Sequence, residues 1–218
     1  LGIAFDGDFD RCFFFDEDGK FIAGEYLVGI FAKIFLNKEL GGKIVHDPRV
    51  IWNTKNIVQS YGGEAVLSKT GHAFVKQTMR DHNAIYGGEM SAHHYFRDFE
   101  FCDSGMIPWL LICELLGKSQ VKFSELVQDR MKLYPSSGEI NFTLKNPKKA
   151  IKKVINFYKN CSPILDELDG ISLTFKDWRL NLRQSNTENV VRLNVETKKN
   201  KELLSEKVIE VSNCLREC

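Results

Sequence analysis

A chain of 218 residues, 43% of them hydrophobic, is long enough for one large domain or two modest ones with real apolar cores. Thirty Lys and Arg against 29 Asp and Glu leave a formal charge of +1, which argues against nucleic acid or an acidic membrane surface as partner. No apolar run approaches the ~20 residues of a membrane-spanning helix. The six cysteines, at 12, 102, 113, 161, 214 and 218, include no Cys-x-x-Cys pair and read as free thiols of a reducing cytoplasm.

In chain order, Ile3-Ala4-Phe5 and Cys12-Phe13-Phe14-Phe15 read as two strand ends on either side of an acidic turn, Asp6-Gly7-Asp8-Phe9-Asp10-Arg11. Gly7 is expected to let the backbone turn. Phe13 to Ile22 closes a hairpin through Glu17-Asp18-Gly19-Lys20. Leu27, Val28, Ile30, Phe31, Ile34 and Phe35 recur at helical spacing, and Gly41-Gly42 ends that helix. A strand at 43–46 precedes Asp47-Pro48-Arg49. A helix near 52–60, a strand at 64–68, Lys69-Thr70-Gly71-His72, a helix to about Arg80 and a strand at 84–86 follow. The last leads into Gly87-Gly88-Glu89-Met90-Ser91-Ala92-His93-His94 as a loop. Strands alternating with helices predict an α/β domain with a mostly parallel sheet. Asp103 or Ser104 is expected to cap a helix through Leu116, and Ser124 to begin another. The Tyr134–Gly138 run reads as a domain boundary. A strand at 140–144, a helix from Pro147, strands near 171–175, 178–183 and 190–196, and a helix from about 201 predict a smaller α+β domain. Its lysines at 145, 148, 149, 152 and 153 read as a solvated helix face.

Three carboxylates at alternate positions, Asp6, Asp8 and Asp10, repel one another unless a cation sits among them. Their oxygen-only chemistry suits magnesium better than zinc. Two other readings stand beside it. Asp6, Asp8, Asp10 and Glu17 match a calcium-loop spacing, but Arg11 occupies the position where that loop needs Gly; a plain solvated acidic turn is the other. In open α/β sheets ligands gather beyond the carboxyl ends of the strands, so Arg49, Lys69–His72 and Glu89–His93 are expected to share one rim.

Asp6 to Arg11 resembles the metal loop of the alpha-D-phosphohexomutases, and the wider run from Gly2 to Gly19 resembles that of bacterial phosphomannomutases; the family commonly has Gly where Phe9 stands. Glu89-Met90-Ser91-Ala92-His93 resembles the family's sugar loop, with Ala92 replacing the usual Gly. Arg183-Gln184-Ser185-Asn186-Thr187-Glu188, with Arg192 beyond, resembles its phosphate loop, with Asn189 where Pro is usual. The resemblance implies a three-layer α/β sugar-binding domain at 25–134 and a smaller α+β phosphate-binding domain at 139–218. It makes residues 1–24 a metal-loop hairpin that ends a preceding domain. It further implies Mg²⁺ on Asp6, Asp8 and Asp10, with Arg11, Arg49, Lys69 and His72 as catalytic groups. Glu89, Ser91 and His93 would meet the sugar; Arg183, Ser185, Asn186, Thr187 and Arg192 would grip its phosphate. Arg49 stands where several relatives have Lys, and as a permanently charged group it reads as electrostatic support rather than a base.

The implied activity is transfer of phosphate between the 1- and 6-positions of a hexose, mannose or glucose, through a phosphoserine. The family's Ser-His-Asn segment does not occur in these 218 residues, and the chain opens in mid-strand at Leu1. The expectation is therefore the C-terminal part of a longer enzyme, inactive without its N-terminal half. A sugar-phosphate-binding fragment and a magnesium-dependent phosphatase with an Asp nucleophile are the readings from other classes.

Overall fold

The computed structural model describes residues 1–185 and 188–216. Its contacts divide the chain into an N-terminal unit, Leu1–Asp47 with Ile51–Met131, and a C-terminal unit, Pro48–Val50 with Lys132–Cys218.

In the N-terminal unit, β1 (Gly2–Phe5), β2 (Cys12–Phe15) and β3 (Phe21–Ile22) form an antiparallel sheet with the acidic turn at its tip. After α1 (Gly24–Lys38) come β4 (Lys43–His46), α2 (Trp52–Ser60), β5 (Glu64–Leu67) and α3 (His72–His82). They are followed by β6 (Tyr86–Gly88), β7 (His94–Phe96), β8 (Cys102–Asp103), α4 (Met106–Ser119) and α5 (Phe123–Leu133), whose last turn carries the division between the units. The second sheet runs β5-β4-β6-β7-β8, parallel from β5 to β6 and antiparallel beyond. Side chains alternate across it as the pleat requires. Ile44, Tyr86 and Phe96 enter the core of α1 and α2, while Val45 and Tyr95 meet Val75 and Met79 of α3. Helices on both faces make the three-layer α/β arrangement.

The strand expected at 84–86 lies further on, taking in Gly87 and Gly88. A Cβ on Gly87 would come within 2.5 Å of the Met79 sulfur, and one on Gly88 within 2.8 Å of Val28. The glycines let helices close on both faces of the sheet, a packing need that local sequence reads as a loop signal.

His94 is fully buried, shares a 2.7 Å hydrogen bond with the Tyr86 hydroxyl and lies edge-on to Phe31. Desolvation, with help from His93, lowers its pKa from 6.5 to about 3. The folded state thus resists protonation, so its stability is complete above about pH 6.5 and falls as pH drops toward 3. The expected loss is about 1.4 kcal/mol per pH unit across that window. Unfolding free energies from urea titration at pH 7 and about pH 5 should differ by about 2 kcal/mol in the wild type. That component should vanish in His94→Gln; an equal slope in both would refute the assignment.

In the C-terminal unit, β9 (Ser136–Thr143), α6 (Pro147–Tyr158), β10 (Ile164–Asp166), β11 (Ile171–Thr174), β12 (Trp178–Gln184), β13 (Val190–Thr197) and α7 (Lys201–Arg216) follow in order. Their antiparallel sheet runs β10-β11-β12-β13-β9. Leu180, Leu182, Leu193 and Val195 turn inward to Val154, Tyr158, Val211 and Leu215 of α6 and α7. This is the smaller α+β domain. The Tyr134–Gly138 run enters β9 at Ser136, and short edge strand β10 was not foreseen because Ile164 and Leu165 are exposed, with no alternation to read. Among the described residues no helix is long and apolar enough to cross a membrane, and Cys12, Cys102, Cys113, Cys161 and Cys214 form no disulfide.

Candidate functional site

Asp6, Asp8 and Asp10 bring carboxylate oxygens within 4.8 Å of one another at the β1–β2 turn. Arg11 secures the turn, its Nε donating to Asp6 Oδ2 at 2.6 Å and its amide to Asp6 Oδ1 at 3.2 Å. Burial works to raise the Asp6 pKa, but the Arg11 hydrogen bonds and charge outweigh it and hold the group at about 2. Asp10 is raised, first by burial and then by Asp6 and Asp8, against the opposing pull of His93. Asp10 Oδ1 is buried with no hydrogen-bond partner among the described residues. A triad of hard oxygens, one of them without a hydrogen bond and 3.7 Å from Arg11 Nε, fits a magnesium-class cation. The calcium spacing does not carry over. Its flanks are strands, and Glu17 accepts the amide and hydroxyl of Ser124 instead.

Gly7 is not the residue that turns this loop. It has no left-handed φ and a Cβ there would meet open space; Phe9 takes the left-handed conformation, with φ +62°. Ala92 does the same at φ +73°. Both stand where the resembled loops carry Gly, which reaches that region without a Cβ penalty. Ala92→Gly is expected to stabilise the N-terminal unit by about 1 kcal/mol, read as a higher urea midpoint. Phe9→Gly should give less, because it forfeits the ring contact with Phe5. A lower midpoint for Ala92→Gly would contradict the strain argument.

The loops after β5 and β6 meet. Glu89, almost fully buried, accepts the Gly71 amide at 2.9 Å and the Tyr95 hydroxyl at 2.7 Å. Two backbone bonds, Glu89 N–H to His93 O and Ala92 N–H to Glu89 O, close the second loop, and an isolated bridge joins His93 to Arg11. That loop leans on the start of α1, where a Cβ on Gly24 would overlap the Met90 carbonyl. The His72 and His93 rings lie 4.3 Å apart, and His93 Nδ1 stands 3.7 Å from Asp10 Oδ2. Ser91 is half-buried in the same loop, and exposed Lys69 rests its ammonium 5.7 Å above the Phe74 ring.

Asp103 was expected only as a helix cap. The N-cap is Gly105, which has no side chain to cap with; Ser104 before it accepts the Met106 amide, while Asp103 on β8 receives His72 at 2.9 Å, His93 at 3.2 Å and Lys76 at 2.9 Å. Burial opposes its ionisation, but the His93 and Lys76 hydrogen bonds prevail and its pKa is strongly lowered. No local signal marks Asp103 or Lys76, because their partners arrive through strand pairing and a helix turn.

Arg49 finds partners within the C-terminal unit, to which its own segment belongs. Buried, it lies 3.5 Å from Glu139, whose other oxygen is 3.7 Å from Arg192 Nε. On β12, Arg179, Asn181 and Arg183 share the face opposite the leucines, paired in register with Glu196, Asn194 and Arg192 of β13. Arg183 and Arg192 thus stand side by side, a costly pairing of like charges eased by Asp169, 3.4 Å from Arg183, and by Glu139. Ser185 follows directly, its hydroxyl accepting the Glu188 amide. Asn186 and Thr187, expected in the same loop, lie outside the described residues. Arg179, which sequence reading passed over, is almost fully buried and gives its guanidinium to the carbonyls of Pro48 and Arg49, to Ser172 and to Glu196.

An acidic strand–turn–strand loop beside a three-layer α/β domain, followed by an α+β domain with an arginine-bearing sheet face, defines a class of protein. Residues 23–134 match the family description "Phosphoglucomutase/phosphomannomutase, alpha/beta/alpha domain III", and residues 139–211 match its "C-terminal domain". The chain belongs to the phosphoglucomutase/phosphomannomutase family. It is 60% identical over 198 residues to a phosphomannomutase of Escherichia coli K12, covering 91% of this chain and 43% of that protein. It is 57% identical over 216 residues to a protein named phosphohexose mutases from Xanthomonas campestris pv. campestris, covering 99% and 48%. Among solved structures, a phosphoglucomutase/phosphomannomutase family protein from Burkholderia thailandensis superposes with a TM-score of 0.82 at 29% identity, covering 99% of this chain and 46% of that one. The chain spans about half the length of the curated relatives it matches.

Proposed function

We propose that this chain is the metal-, sugar- and phosphate-binding part of a magnesium-dependent phosphomannomutase interconverting mannose 6-phosphate and mannose 1-phosphate. The phosphoryl donor is a phosphoserine that these 218 residues do not carry, so alone the chain binds without turning over. In the intact enzyme the serine O–P bond breaks as the free sugar hydroxyl attacks, giving a hexose bisphosphate. The sugar then turns over and returns its other phosphate to the serine. Magnesium held by Asp6, Asp8 and Asp10 would neutralise charge on the phosphoryl group, catalysis of this kind resting on positioning and electrostatics.

The observation that carries the reading is the meeting of the acidic turn, His72 and the Glu89–His93 loop within one unit. We assign Ser91 and Glu89 to adjacent sugar hydroxyls, Glu89 through the lone pairs left beyond Gly71 and Tyr95. Lys69, His72 and His93 then face the phosphorylated end, and Arg11 steadies the metal turn. Arg183, Ser185, Asn186, Thr187 and Arg192 take the non-reacting phosphate, Arg forks supplying paired donors, with Arg49 as fixed positive charge. Arg49, permanently charged, cannot be the base. The free thiols and balanced charge fit a cytoplasmic enzyme.

Calorimetric titration of this chain with mannose 6-phosphate should give a binding isotherm that Arg183→Met and Arg192→Met each weaken by about tenfold or more, without turnover. Turnover by the chain itself would favour a phosphatase and defeat the proposal. For the intact enzyme, faster conversion of glucose 1-phosphate than of mannose 1-phosphate would overturn the mannose assignment.

A further inference from the structure

His72, His93 and Asp103 form, with Asp10, a second group of four potential ligand residues whose donor atoms lie within 4.8 Å of one another. It differs in kind from the aspartate triad. We propose that it is a binding site for a zinc-class divalent transition metal, joined to the triad through the shared Asp10 carboxylate.

The ligands come from four places in the N-terminal unit: the acidic turn, the first residue of α3, the end of the Glu89–His93 loop and edge strand β8. His72 turns Nδ1 to Asp103 Oδ2 at 2.9 Å and Nε2 to Asp10 Oδ2 at 4.0 Å. His93 turns Nδ1 to the same two oxygens, at 3.2 Å from Asp103 and 3.7 Å from Asp10. Around a tetrahedral metal with bonds of about 2.0–2.2 Å, neighbouring donor atoms stand about 3.3–3.6 Å apart. His72 can give a metal only one nitrogen; with Nδ1 as that ligand, the separations of 2.9, 3.2 and 3.7 Å straddle that value, so a metal fits among the four donors with adjustments of about half an ångström. Two borderline imidazole nitrogens beside two hard carboxylates favour zinc, cobalt or nickel over magnesium.

The surroundings hold the donors in place. Lys76 engages the other Asp103 oxygen, Oδ1, at 2.9 Å, leaving Oδ2 aimed at the imidazoles. The Tyr95 ring flanks both histidines and is itself anchored by its hydroxyl to Glu89. Asp10 has one oxygen toward the imidazoles, while Oδ1 is the buried atom without a hydrogen-bond partner. One carboxylate can thus serve two neighbouring cations. A metal here would also withdraw His72 and His93 from a sugar phosphate and hold the enzyme inactive. That consequence, unlike the site itself, rests on the proposed function.

The test is titration of the chelator-stripped chain with Co²⁺, read by visible absorption. A four-coordinate site with imidazole ligands gives intense bands, and an oxygen-only octahedral site a weak spectrum. One equivalent of intense absorption is expected, displaced by Zn²⁺. It should be lost, or its affinity weakened at least about tenfold, in His72→Gln and in His93→Gln, and retained in Asp8→Asn, which alters the triad alone. His72 is half exposed, so its replacement leaves the fold intact. X-ray absorption of the zinc form should show imidazole scattering. A weak spectrum, no binding, bands that survive both histidine replacements, or bands that disappear in Asp8→Asn would each overturn the proposal. Magnesium binding by the wild type and its loss in Asp8→Asn test the triad separately, so failure of one assignment is distinguishable from failure of the other.

Discussion

Arg179→Met is expected to destabilise the C-terminal unit by about 3–5 kcal/mol, among the largest effects a single replacement can have there. The guanidinium is 2% exposed and its partner Glu196 1% exposed. Removing it strands a buried carboxylate and withdraws donors from Ser172 and from the carbonyls of Pro48 and Arg49. A stranded buried charge costs more than the pair itself contributes. Replacing Glu196 by Leu in the same molecule should therefore recover a large part of the loss. Arg183→Met, at a partly exposed pair with Asp169, should cost under about 1 kcal/mol. Urea unfolding followed by the fluorescence of Trp178, the residue before Arg179, measures all three. A single variant as stable as wild type would show that the network is only a geometric coincidence. The same variant should loosen Arg49, whose backbone carbonyl Arg179 holds.

Asp8→Asn in the intact enzyme is expected to lower kcat by about 10²–10³, the cost of deleting one preorganised electrostatic group, while leaving stability within about 0.5 kcal/mol. Asp8 is the exposed member of the triad, and its loss also relieves repulsion of Asp10. Magnesium titration should show weakened binding alongside the lost rate. An unchanged rate at saturating magnesium would remove the triad from the mechanism. A collapse of stability instead would make Asp8 a structural residue.

The two predictions differ in how they could have been reached. Asp8 was available from the chain alone, because three carboxylates alternating between apolar runs state a charge problem that is local in sequence. Arg179 was half available. The alternation Arg179-Leu180-Asn181-Leu182-Arg183 announces a strand with one polar face, but its partners at 48, 49, 172 and 196 are chosen by sheet pairing and by a loop far away in sequence. Asp103 was least available. It looked like a helix cap, and only the β7–β8 pairing sets it beside His72, His93 and Lys76.

Backbone conformation shows the same divide. Gly7 drew attention as the obvious turn residue, yet the left-handed positions belong to Phe9 and Ala92, where no glycine advertises them. Gly87 and Gly88 suggested a loop and proved to be strand residues, because the demand for them comes from Met79 and Val28 on opposite faces of the sheet.

By itself, then, the amino-acid order determined what is periodic or contiguous: the alternation of strands and helices, the two kinds of domain, and the acidic, sugar-loop and arginine-loop segments. Those properties arise between residues a few positions apart, where spacing along the chain is spacing in the molecule. The tertiary structure decided which oxygen of Asp10 is left without a hydrogen bond, that Glu89 is locked between Gly71 and Tyr95, and that Arg49 answers to Glu139 and Arg179. These depend on burial and on contacts between distant segments, and a charge or a hydrogen bond acquires its worth only when its surroundings have been removed from water.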